Sequence, residues 1–89
     1  MKIQDTRVMR LKGICVKALE PTHLEVIDES HLHAGHKGVE QGSETHFYLC
    51  VQSPFFAGKT TLAQHRMVMD LFKEEFTHGL HALRLKTGV

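Results

Sequence analysis

Several features that would betray a function are missing from this chain. Its two cysteines, Cys15 and Cys50, are too few for a disulfide scaffold and have no CxxC spacing. Each falls in a predicted regular element, which makes them small buried or half-buried thiols. No apolar run approaches the roughly 18 residues of a membrane span. No apolar signal-peptide core opens the chain either, so the expected setting is the cytoplasm, or an organelle matrix if a transit peptide has been removed. An excess of one charge is also absent: 11 Lys and Arg against 10 Asp and Glu leave a net charge of +1. Dedicated nucleic-acid domains often have a pI above about 9, so this balance weakens that class without removing it.

A phosphate-binding loop is missing as well. Ala57-Gly58-Lys59-Thr60 resembles the end of a nucleotide-binding loop, but that motif needs a glycine where this chain has Ser53. Phe55 and Phe56 also occupy the arc whose amides would have to wrap phosphate. Gly-x-x-Gly, the loop with which KH domains bring backbone against nucleic-acid backbone, occurs once, at Gly35-His36-Lys37-Gly38 in the polar stretch between the two strands and away from helix two.

What is present suits one domain over residues 1–89, with 42% apolar and 24% charged residues. Asp5 or Thr6 can cap a first helix ending at about Leu19, before Pro21. Val8, Leu11, Cys15, Ala18 and Leu19 form its inward stripe, with Arg7, Arg10, Lys12 and Lys17 mostly opposite. Leu24–Asp28 alternates as a short strand, and Thr45–Val51 is a second, with Phe47, Leu49 and Val51 on one face and His46, Tyr48 and Cys50 on the other. A second helix starts at Thr60 or Thr61 and runs to about Phe76. Its inward stripe is Leu62, His65, Val68, Met69, Phe72 and Phe76, and Lys73, Glu74 and Glu75 form a solvated face. Gly79 supplies a left-handed C-cap, and Ala82–Lys86 is a third strand.

This order predicts an α+β fold, α-β-β-α-β. Strands one and two form an antiparallel hairpin, and the crossover through helix two makes strands two and three parallel. The sheet is then three-stranded and mixed, strand two is central, and both helices lie on one face. That is the topology of a class II KH-like domain.

Histidine is the compositional outlier, at positions 23, 31, 33, 36, 46, 65, 78 and 81. His31, His33 and His36 lie in the polar stretch Glu29–Ser43, which is long for a hairpin connection. His81 sits where helix two ends and strand three begins, at a sheet edge that the long loop can fold over. His65 reads as a partly buried core histidine and His46 as an open-face sheet residue. For His81 the competing structural reading is a hydrogen bond to the C-terminus of helix two. No nucleophile–base pair suggests an enzyme, since His65 and Asp70 lie well around their helix from each other.

Leu24-Glu25-Val26-Ile27-Asp28-Glu29-Ser30, Ser43-Glu44-Thr45-His46-Phe47, Phe56-x-Gly58, His65-Arg66-Met67-Val68 and His81-Ala82-Leu83 together resemble the BolA family over nearly the whole chain. One departure is Gln64, where the family usually has a basic residue. The resemblance implies a non-enzymatic partner of monothiol glutaredoxins that shares a [2Fe-2S] cluster in iron–sulfur trafficking or iron regulation. It implies a monomer that becomes a heterodimer with that partner. One ligand on this side is the histidine at the start of strand three, here His81. The other comes from the strand one–strand two loop, where a histidine places the chain in the histidine subgroup. His33 matches the recurrent loop position best and His36 is the second choice.

A cluster needs four ligands, so none is expected in the isolated chain; the partner and its glutathione supply the rest. The alternative reading is a nucleic-acid-binding regulator of transcription, morphology or stress response. It would act through helix two and the preceding turn, with Lys59 and Arg66 on phosphate beside Gly58 and Thr60.

Overall fold

The computed structural model describes residues 6–30 and 45–89. Helix α1 spans Arg7–Leu19. The Thr6 hydroxyl caps it by accepting from the Met9 amide at 3.3 Å, and the left-handed Glu20 (φ 46°) ends it before Pro21. Asp5, the other predicted cap, lies outside the described residues. Leu11, Cys15 and Leu19 recur every fourth residue and are fully buried.

Strand β1 (His23–Asp28) pairs antiparallel with β2 (His46–Gln52), and β2 pairs parallel with β3 (Ala82–Gly88). The order β1-β2-β3 puts β2 at the centre, as the sequence pattern predicts. Phe47, Leu49 and Val51 project from β2 into a core completed by Leu11, Cys15 and Leu19 of α1, Phe56, Val68, Phe72 and Leu80. Burial of side chains this size contributes about 1.5–3 kcal/mol each. Among the described residues, no helix covers the other sheet face, which carries His46, Tyr48 and Cys50 on β2.

Between β2 and helix α2 (Thr61–Leu71), Pro54–Phe56 forms a 3₁₀ turn. Buried Ser53 donates its hydroxyl to the Leu19 carbonyl at 2.5 Å and accepts from the Phe55 amide at 3.0 Å. The residue that broke the nucleotide-loop pattern thus ties the end of α1 to this turn. Phe56 is fully buried, Phe55 is 46% exposed, Gly58 supplies the positive φ of 77° and Thr60 caps α2.

Three expectations are corrected here. The second helix is not continuous to Phe76: it breaks at Phe72, whose amide is shared between the Val68 and Met69 carbonyls, and a short helix α3 follows at Lys73–Thr77. The buried side of α2 is Gln64 and Val68, whereas Leu62 and Met69 are 59% and 40% exposed. Gln64 tolerates burial because its amide donates to the Lys59 carbonyl (2.9 Å) and accepts from the Thr87 hydroxyl (2.6 Å).

Arg7 and Glu75, expected on solvated faces, are both buried. Arg7 Nη1 meets Glu75 Oε1 at 2.5 Å, and Arg10 Nε meets Glu75 Oε2 at 2.8 Å. Arg7 also donates to the His78 carbonyl at 3.1 Å, so one guanidinium neutralises the carboxylate and caps the end of α3. Leu80 N bonds back to the Glu75 carbonyl, and Gly79 takes φ 116° as the chain turns towards β3.

The hydrogen bonds from Arg10 and Arg7 hold the Glu75 carboxyl below its ordinary value of 4.5. A depressed carboxyl stabilises fully above the unfolded value, and that contribution fades as pH falls through the lower folded value. Glu75→Gln should therefore cost about 3 kcal/mol at neutral pH, because it leaves two guanidinium groups beside a neutral amide. It should also flatten the loss of stability below about pH 4.5. Urea unfolding across pH 3–7 measures both, and an unchanged acid limb would remove Glu75 as its source.

Candidate metal-ligand edge

His81 precedes β3 and is exposed; His46 opens β2 and is half-buried. The parallel register sets His46 against Ala82, which brings the two imidazoles together edge-on, with ring centroids 5.7 Å apart and an interplanar angle of 76°. His46 Nδ1 lies 2.9 Å from the Thr45 hydroxyl, which orients its ring. The ring that meets a helix carbonyl is that of His78, whose Nδ1 is 2.8 Å from the Glu74 carbonyl. The competing helix-end role considered for His81 thus falls to His78.

A fully buried serine organises this edge. Ser30 donates its amide to Asp28 Oδ1 at 2.9 Å, and its hydroxyl oxygen accepts from the amides of Thr45 (2.8 Å) and His46 (3.0 Å). The Thr45 carbonyl then accepts from His81 N at 2.7 Å and Ala82 N at 3.1 Å. Residues 30 and 45, the flanks of segment 31–44, are therefore bonded to each other, and Thr45 is bonded to His81. His33 and His36 fall in that segment, outside the described residues.

Farther along the open face, Arg84 grips Glu29 through two hydrogen bonds of 3.1 and 2.7 Å and lies 4.3 Å from the centre of the Tyr48 ring. This pairing raises the Arg84 pKa still further, chiefly through the hydrogen bond to Glu29.

The residues of the nucleic-acid reading lie elsewhere. Thr60 and Gly58 have structural tasks, a helix cap and a turn of positive φ. Lys59 and Arg66 are exposed. Arg66 borders a shallow groove lined by Thr60, Leu62, Ala63, Met67 and Asp70, where the carboxylate of Asp70 opposes an anionic ligand.

Sequence reasoning located His81 and missed His46 as its neighbour. The signal was present: parallel pairing of β2 with β3 places the first residue of one strand beside the first of the other.

The fold is thus a three-stranded mixed sheet backed by helices, with a histidine pair at one end of the central strand. Comparison with known proteins gives it a family. Residues 16–88 match the model for BolA-like proteins, and the chain belongs to that family. It is 42% identical over 84 residues to SufE-like protein 1, chloroplastic/mitochondrial, of Arabidopsis thaliana, covering 90% of this chain and 23% of that one. It is 41% identical over 70 residues to the DNA-binding transcriptional regulator BolA of Escherichia coli, covering 79% and 63%. The structure of BolA1 from Arabidopsis thaliana superposes with a TM-score of 0.87 at 36% identity, covering 97% and 94%. This chain therefore spans less than two thirds of both of these sequence relatives.

Ser30→Ala would leave the Thr45 and His46 amides without their acceptor at a fully buried position. It should cost about 2 kcal/mol, within the usual range for orphaned buried donors. Thermal unfolding reads the loss, and amide exchange should accelerate selectively at Thr45 and His46; uniform exchange rates would show that Ser30 does not hold this edge.

Proposed function

We propose that this chain is a non-enzymatic binding partner of a monothiol glutaredoxin, contributing histidine ligands to a shared [2Fe-2S] cluster in iron–sulfur trafficking or iron and redox regulation. The observation that carries the reading is the hydrogen-bonded link from Ser30 through Thr45 to His81. It roots the segment containing His33 and His36 beside the exposed His81. His81 is the proposed ligand from the described residues, with His33 or His36 as the second, and His46 packs against the His81 ring.

The donor chemistry fits half a cluster. Cys15 is fully buried, its thiol pushed up to about 11 by desolvation, and Cys50 lies four residues along β2 from His46. Thiolate ligands must then come from the partner and glutathione. Such a group would bring electron storage and iron–sulfur delivery. This chain's part is to present imidazole nitrogens on a rigid sheet edge. The working compartment is the cytoplasm or an organelle matrix.

Mixing the purified chain with a cluster-loaded monothiol glutaredoxin should change the visible absorption and circular dichroism of the cluster and give a heterodimer. His81→Ala should abolish the spectral change. No complex and no change with wild type would overturn the reading; a change that survives His81→Ala would overturn the ligand assignment.

A second reading is supported by exposed Lys59 and Arg66 together with the Escherichia coli relative, named as a DNA-binding regulator. If both residues neutralise phosphates, log affinity for duplex DNA should fall against log salt with a slope of about −2. Each single substitution to alanine should reduce that slope by about one. A flat response removes DNA from consideration.

A further inference from the structure

The open face of the sheet carries a second cluster of metal-binding groups, at the opposite end of β2 from His81. His23 and Glu25 alternate outward on β1, and Cys50 faces the same way on β2, paired in register with Glu25. One donor atom from each of the three lies within 4.8 Å of the others. Cys50 is four residues from His46, which separates the two ends by about 13 Å at strand rise.

We propose that His23, Glu25 and Cys50 form a site for a divalent, borderline-soft transition metal, with zinc as the fitting ion. The donor set is imidazole nitrogen, carboxylate oxygen and thiolate sulfur, the three side-chain ligand types that zinc takes. Zinc–ligand distances of about 2.0–2.3 Å imply donor–donor separations of about 3.5 Å in a tetrahedron. Closing from the present spacing needs about 1 Å, and the His23 and Glu25 side chains, 46% and 51% exposed, are free to rotate by that amount. Cys50, only 8% exposed, supplies the fixed point.

Charge also fits. A carboxylate and a thiolate offset a dication, and neutral imidazole adds none, so the loaded site is uncharged where Cys50 is shielded from water. Three protein donors leave the fourth position to water or to a group from another molecule. The site shares no ligand with the His81 edge and does not depend on the proposed glutaredoxin partnership.

Cobalt(II) is the probe, because a cobalt–thiolate bond gives a charge-transfer band and tetrahedral cobalt gives intense visible bands that histidine sites without sulfur do not reproduce. One equivalent added to the reduced, folded chain should produce both, and zinc(II) should displace them. Cys50→Ser should abolish the charge-transfer band, and His23→Ala and Glu25→Ala should each weaken cobalt binding at least tenfold. His81→Ala should leave the spectrum unchanged. Cys15, sealed in the core, should contribute nothing. The proposal is overturned if the wild type gives no thiolate band, if the band survives Cys50→Ser, or if His23→Ala and Glu25→Ala both bind as wild type does. The last two variants sit at exposed positions, so they decide the matter even if Cys50→Ser destabilises the fold. Loss of the band in His81→Ala would move the metal to the other end of the sheet and overturn the assignment as well.

Discussion

A three-stranded sheet with its helices on one side must divide its central strand between two environments. Phe47, Leu49 and Val51 are sealed against the helices, while His46, Tyr48 and Cys50 face outward one residue out of phase. Everything chemical in this molecule follows from that division. The inward set supplies the hydrophobic burial that holds a small domain together, and the outward set is left available to ligands. A one-residue slip of β2 would exchange the two sets, so the register that secures the core also positions the histidine and cysteine donors.

The parts of this arrangement that depend on local periodicity are legible from the residues. Alternation in β2, the αi/αi+4 run of Leu11, Cys15 and Leu19, the cap at Thr60 and the turn at Gly58 all stand where pattern reading puts them. What fails is chiefly the burial of side chains whose partners are distant in sequence. Arg7 and Glu75 are 68 residues apart, and each alone resembles an ordinary solvated charge; only the packing of α1 against α3 makes them a buried pair. The stripe of α2 is misjudged for the same reason. Its phase is decided by Gln64, a polar residue that can be buried because Lys59 and Thr87 satisfy both ends of its amide, while apolar Leu62 and Met69 remain in water. The interruption at Phe72 has no glycine or proline to announce it.

At the histidine edge the division is similar. His81 stands out because a histidine at a strand start is exposed to solvent and close to a loop. The proximity of His46 needs the strand register, and the role of Ser30 needs the hairpin's closing geometry. A serine two residues beyond the end of a strand pattern gives no sign that two amides from the far side of a loop will converge on its hydroxyl. The cluster of His23, Glu25 and Cys50 combines both kinds of information: alternation places each residue on the open face, and pairing of β1 with β2 makes them neighbours.

The Ser30–Thr45 junction has a consequence for how such a protein can change over evolutionary time. Because the sheet is closed off at residues 30 and 45 by its own hydrogen bonds, the stretch between them acts as an insert on a finished frame. Each doubling of a connection's length adds only about 0.6 kcal/mol of closure entropy. Its composition and length are thus free to drift, acquiring or losing donor residues beside His81, without disturbing the strand pairing that keeps the domain folded. A frame of this kind separates selection for ligand chemistry from selection for stability.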